Sequence, residues 1–280
     1  MAKICKSIAP ERVRPAGAPS AKLDPTAVTD VFLDFDGTLT ASNQLGVLGY
    51  VLPLLEQCRS LRVSDTVDAD PDLPAHVPWK DLDAHMAAAV SEAHIDVSDS
   101  SFLGPVEVRQ KIQSSLQTLV ACGVRVHLLT MGTPTAAKAL LGVGGYDLRL
   151  FTSCLGSVDM ARSQRLEHLF DNGDEDGRES GGKFQFDVEE DIAALRHVLE
   201  TGEQNALLRR IMSMETRLSK ADLVLSVAGR GGILIDDNYS KNIFDADAKG
   251  VMYIHVDPEG SGTTSAVLAD LASHVAAVKT

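Results

Sequence analysis

Short runs of apolar residues, each breaking off at a polar or turn-forming residue, recur along the chain. The first is Val31-Phe32-Leu33-Asp34-Phe35, which stops at Asp36-Gly37-Thr38. Similar runs cover 124–129 before Thr130, 148–152, 232–235 before Asp236, and 251–256 before Asp257-Pro258. A strand wet on one face would alternate apolar with polar. These runs are mostly apolar rather than strictly alternating, which suits parallel strands buried on both faces.

Between the runs the period changes to that of helices. Pro105 opens one at a favourable first-turn position, Ile112, Leu116, Leu119 and Val120 form its stripe, and Gly123 closes it. Val188, Ile192, Leu195 and Leu199 make a second stripe, and Leu207, Ile211, Met214 and Leu218 a third. A further helix over 221–228 leads into the 232–235 strand. Strands alternating with helices across short loops predict a doubly wound α/β parallel sheet.

Two stretches exceed that alternation. Residues 41–103 hold predicted helices at about 43–58 and 79–94 around a Pro/Asp-rich loop at 65–78, and residues 156–218 hold an acidic loop with extra helices. Both read as insertions over the C-terminal edge of the sheet. The core is then 30–40, 104–155 and 219–280. Residues 1–29, rich in Ala, Pro and Ser and without a period, read as a mobile tail.

Charge narrows the partners. The chain has 280 residues and a net charge of -13, from 39 acidic and 26 basic side chains. That balance argues against tracking a nucleic-acid backbone and against an anionic membrane surface. The acidity is concentrated: segment 171–191 carries nine acids against Arg178 and Lys183. No apolar run approaches the ~18–20 residues needed to span a bilayer, and no signal-peptide core follows the N-terminus. The expectation is a cytoplasmic protein, with organellar import through the basic N-terminal segment as the alternative. Cys5, Cys58, Cys122 and Cys154 are too scattered for a metal or redox motif and read as reduced thiols, Cys122 buried on a helix. The eight histidines form no zinc pattern and read as ordinary core and surface residues.

Carboxylates carry the chemistry. Asp34 and Asp36 alternate along the strand end and leave the chain in similar directions, while Phe35 turns into the core. Gly37 lets the chain turn away and brings backbone N–H groups near an anion. Two adjacent carboxylates repel unless a cation or a proton intervenes. Asp236-Asp237 ends another buried strand; alone such a pair is more often a turn or helix cap, but with the first pair it adds oxygen ligands for a hard divalent cation. Thr130, followed by Met131, Gly132, Thr133 and Pro134, places a hydroxyl before the N-terminal amides of a helix, which makes either an anion cradle or a plain cap.

Asp-x-Asp-Gly-Thr-Leu, a strand-end Thr, a Lys and a strand-end Asp-Asp, in that order, resemble the haloacid dehalogenase-like phosphohydrolase superfamily. The resemblance covers about 31–60, 104–155 and 219–280. It implies a Rossmann-like core with helical cap-type insertions. It also implies Mg²⁺-dependent phosphomonoester hydrolysis through an aspartyl-phosphate, with a small phosphorylated metabolite as substrate. By the same resemblance Asp34 is the nucleophile and Asp36 the general acid and base, its carbonyl helping to bind Mg²⁺. Gly37, Thr38, Thr130, Met131 and Gly132 would hold the substrate phosphate, and Asp34, Asp36, Asp236 and Asp237 would form the metal site.

The family's phosphate-site lysine falls on Lys220, at the start of the 221–228 helix, ahead of Lys183 in Gly181-Gly182-Lys183 across the extra helices. Met131 stands where many members have Asn. The rival expectations are a phosphotransferase or phosphomutase of the same fold, and a binding module without turnover that docks through its acidic insertion.

Overall fold

The computed structural model describes residues 23–40, 76–78, 103–131, 134–166, 185–187, 193, 217–257 and 261–279. Among these the strands are β1 (Asp30–Leu33), β2 (His76–Pro78), β3 (Arg125–Leu129), β4 (Ser153–Leu155), β5 (Gln185–Asp187), β6 (Gly232–Asp236) and β7 (Met252–His255). The helices are α1 (Val106–Ala121), α2 (Pro134–Val143), α3 (Ser157–Ser163), α4 (Lys220–Ala228), α5 (Phe244–Lys249) and α6 (Ser261–Lys279).

Burial explains why the apolar runs do not alternate. Every residue of β1 and β6 is buried. Val31 and Leu33 join Val126, Leu128, Ile233 and Ile235 in one core that includes residues of α1 and α6. Phe32, between them in sequence, joins Leu234, Tyr253 and residues of α3 and α4 in a second core. Successive side chains point to opposite faces of a strand, and each face here has its own helical layer. The sheet therefore lies between helices on both sides.

Five strands form one all-parallel sheet in the order β4-β3-β1-β6-β7. The chain runs outward from β1 through β3 to β4, then returns to the other side of β1 for β6 and β7. The reversal puts the C-terminal ends of β1 and β6 side by side, where open α/β sheets form a ligand crevice.

Four expectations are corrected. The predicted strand at 148–152 is instead a 3₁₀ turn at Leu148–Leu150, with β4 beginning at Ser153. Asp147 causes this: its carboxylate accepts from the Arg149 backbone N–H at 3.1 Å and from the Arg149 guanidinium at 2.8 and 2.9 Å, which closes the turn. Residues 23–29 are not a loose tail. Val28 is fully buried in the core, Thr29 extends the ladder through N–H to the Gly231 carbonyl, and Lys279 Nζ donates to the Val28 carbonyl. Val120 of the α1 stripe is exposed. Cys122 is the half-buried C-cap of α1 rather than a buried helical thiol.

The rest of α1 follows its pattern, from N-cap Pro105 to Gly123 at φ +76°. The two insertions meet in an antiparallel pair, β2 with β5, in the register His76↔Asp187, Val77↔Phe186, Pro78↔Gln185. The predicted helices at 43–58 and 79–94 and residues 188, 192, 195, 199, 207, 211 and 214 of the other stripes lie outside the described residues. So do Cys5, Cys58, Gly132, Lys183 and the acids from 171 to 179. No helix among the described residues is long and apolar enough to cross a membrane.

Candidate active site

Asp34 follows β1 directly, and its N–H continues the ladder to the Ile235 carbonyl at 3.0 Å. Its side chain is only 8% exposed. Asp34 Oδ1 accepts the Phe35 N–H at 2.7 Å, which fixes the carboxylate against the start of the loop. The chain then turns through Gly37 at φ +70°, a left-handed conformation that side chains other than glycine resist. A Cβ on Gly37 would also lie 2.5 Å from Asp237 Oδ2, so that carboxylate would have to shift. Glycine is needed here for the backbone angle and for the close approach of Asp237.

Asp236 ends β6 and Asp237 follows it. The Asp236 carboxylate is fully buried and saturated with donors. Oδ1 accepts from the Asn238 N–H at 2.8 Å and from Asn242 Nδ2 at 3.1 Å. Oδ2 accepts from Asn242 Nδ2 at 3.0 Å and from Lys220 Nζ at 2.7 Å.

Lys220 is the first residue of α4, whose N-cap Ser219 accepts from the Asp222 N–H at 3.0 Å. Starting the helix there aims the lysine along the sheet edge, and Nζ reaches Asp34 Oδ1 at 2.7 Å as well as Asp236. The lysine is buried between the two carboxylates, its side chain 1% exposed. A second lysine secures the start of α4 from outside: Lys249 Nζ donates to Ser219 Oγ at 2.9 Å and to Asp222 Oδ2 at 2.8 Å.

Asp34, Asp236 and Asp237 each offer an oxygen, and the three lie within 4.8 Å of one another. Burial raises the Asp34 carboxyl well above the usual range; Lys220 opposes this, and the charges of Asp236, Asp237 and Asp36 add to it. Asp237 is pushed up to about 6, by burial first and then by the neighbouring Asp236 charge. For Lys220 burial favours loss of the proton, but the charges of Asp236 and Asp34 outweigh it and hold the ammonium charged above its ordinary range. One ammonium faces three carboxylates. The remaining negative charge and the clustered hard oxygens fit a divalent cation such as Mg²⁺, with Asp34 and Asp237 the natural ligands because the donors on Asp236 already fill its oxygens.

No family model, curated protein or solved structure matches the chain.

The other residues singled out in the sequence fall as follows. Asp36 is half-buried beside this group, close enough for its charge to raise the Asp34 carboxyl, but its side chain is not one of the three that cluster. The Gly37 N–H is not left for an anion, since it donates to Thr40 Oγ1 at 2.9 Å inside the loop. Thr38 is fully buried, and its carbonyl accepts from Thr264 Oγ1 at 2.7 Å, tying the loop to α6. Thr130 closes β3 with its N–H on the Leu155 carbonyl. Met131 is half-buried, and its carbonyl accepts from Ser157 Oγ.

Sequence reasoning missed Asn242, Thr40 and His255. Asn242 reaches Asp236 because Tyr239–Ile243 forms a single π-turn, an irregularity with no periodic signature. Asn238, which caps that turn by accepting the Lys241 N–H, was the available clue.

Proposed function

We propose that this protein is a Mg²⁺-dependent phosphomonoester hydrolase of the haloacid dehalogenase-like type, working through an aspartyl-phosphate on Asp34. The observation that carries the reading is Lys220, buried and bridging Asp34 and Asp236 at 2.7 Å each, with Asp237 beside them at the switch point of a parallel sheet. A lone surface lysine would not be drawn into a carboxylate cluster at this depth. A purely structural ion pair would not need two further acids crowded against it.

In this reading an Asp34 carboxylate oxygen attacks phosphorus, and the bond from phosphorus to the ester oxygen breaks. Asp36 gives its proton to the departing alcohol oxygen. Asp36 then takes a proton from water, the water oxygen attacks phosphorus, and inorganic phosphate leaves with the Asp34 carboxylate restored. Lys220 holds positive charge beside the attacking carboxylate throughout, which lowers the repulsion between Asp34 and an incoming phosphate dianion. Asp236 orients Lys220. Asp34 and Asp237 would hold Mg²⁺, which would supply positive charge to offset that of the phosphate.

The test is phosphate release from a panel of aryl and alkyl phosphomonoesters, with Mg²⁺ and with excess chelator. Release with Mg²⁺ that stops in chelator is expected. Full release in chelator would contradict the cation, and no release from any ester would contradict the hydrolase.

A further inference from the structure

Asp237 is the carboxylate that the Mg²⁺ reading, on which this inference rests, relies on most, and its backbone is held in an unusual way. The Asp237 carbonyl accepts twice, from the Tyr239 N–H at 3.0 Å and from His255 Nε2 at 3.1 Å. His255 is the last residue of β7 and pairs in register with Asp236, so the sheet itself delivers the imidazole to the strand-end acids. Beyond it the ladder continues through the Val256 N–H to the Asp236 carbonyl at 3.1 Å.

A carbonyl can only accept, so His255 Nε2 carries the hydrogen. In the neutral ring Nδ1 is then the acceptor, and it is buried with no hydrogen-bond partner among the described residues. The ring is 8% exposed and meets the edge of Tyr239 at 5.2 Å. A buried polar atom without a partner is a cost that Phe or Leu in the same space would not carry. The Nε2 contact, the single polar contact of the imidazole among the described residues, is therefore what distinguishes it from a packing residue.

That contact bears on the carboxylate. On the side facing the loop, Gly37 leaves room for the Asp237 carboxylate, since a Cβ there would sit 2.5 Å from Oδ2. On the backbone side, the two hydrogen bonds fix the peptide plane after Asp237. The carboxylate is carried by a backbone whose carbonyl is held at two points.

We propose that His255 is a positioning residue for the cation site: through Nε2–H it holds the Asp237 peptide so that the carboxylate faces Asp34, and it thereby sets Mg²⁺ affinity. Groups that orient metal ligands typically change metal affinity about 10–100-fold when removed.

The test is calorimetric titration of Mg²⁺ into the full chain, using wild type, His255→Phe, His255→Gln and Asp237→Asn. Phe keeps the ring volume and the Tyr239 contact but has no donor, while the Gln amide nitrogen can take the place of Nε2. His255→Phe should bind Mg²⁺ about 10–100-fold more weakly, and His255→Gln should recover most of that loss. Circular dichroism on each variant reports the fold, and the Gln variant carries the comparison if Phe does not fold. Wild-type affinity in His255→Phe, or a His255→Gln variant folded but as weak as a donorless one, would overturn the positioning role alone. Absence of Mg²⁺ binding in wild type, or unchanged binding in Asp237→Asn, would overturn the cation site and this role with it.

Discussion

Lys220 concentrates the argument at the scale of a residue. Burying a lysine is expensive unless its charge is met, and here two carboxylates meet it at 2.7 Å. Lys220→Met should lower kcat by at least about 100-fold, the scale for losing one preorganised charge-stabilising donor. It should also lower Tm, because Asp34 and Asp236 lose their shared counter-charge. Lys183→Ala should leave kcat close to wild type, and steady-state kinetics on both variants decides between the two lysines. Asp237 gives a second test with a definite sign. Its folded pKa of about 6 lies above the ordinary 3.8, so between those values the cation-free folded state holds more protons than the unfolded chain. Stability from this group is then fully present at low pH and is lost as pH rises from about 4 to about 6. Asn mimics the protonated acid. In chelator, the Tm of Asp237→Asn should gain on wild type as pH rises through that window, and Mg²⁺ should restore wild type above it. A pH-independent difference between the two proteins in chelator would show that the Asp237 carboxyl is not held out of its ordinary range.

At the scale of elements, a separate polar network joins three strands away from the site. Asp30, fully buried at the start of β1, accepts from the Arg125 guanidinium at 2.7 and 3.0 Å and from Thr29 Oγ1 at 2.7 Å. His127 of β3 bridges Asp30 at 2.8 Å and Ser153 Oγ of β4 at 2.7 Å, and stacks on Phe32 with ring centroids 4.5 Å apart. These bonds hold the Asp30 carboxyl below its usual range despite burial. His127→Leu should cost about 1–3 kcal/mol of stability by stripping partners from buried polar groups. It should leave kcat unchanged well below Tm, which denaturant melts and kinetics on the same sample would check. This element scale is also where the sequence was most and least legible. β1 and β6, apolar apart from Asp30 and Asp236, announce themselves because both faces are covered. The edge strand β4 does not, because its three half-buried residues carry little apolar signal and the local Asp147–Arg149 pairing diverts the preceding apolar run into a turn.

At the scale of the whole molecule, the site exists because the chain reverses at β1. Only that topology sets Asp34 and Asp236, 202 positions apart in the sequence, beside one lysine from a third element. Asp34, Asp236 and Asp237 were legible because strand ends can be read locally, and Lys220 through the family resemblance. Asn242, Thr40 and His255 were not, since their roles depend on a π-turn, a loop closing on itself and the register of β7 with β6. The pairing of β2 with β5 likewise joins two insertions that local patterns treat separately.

The central claim is that Asp34 attacks phosphorus and Asp36 handles protons. Rapid quench with phosphorus-labelled aryl phosphate tests it, comparing wild type, Asp34→Asn and Asp36→Asn. Asp36→Asn should still be phosphorylated, because an aryl leaving group needs little protonation, and should accumulate label because no base activates water, a contribution of about 10²–10⁴-fold. Asp34→Asn should carry no label. Label retained on Asp34→Asn would show that another residue attacks and would contradict the mechanism.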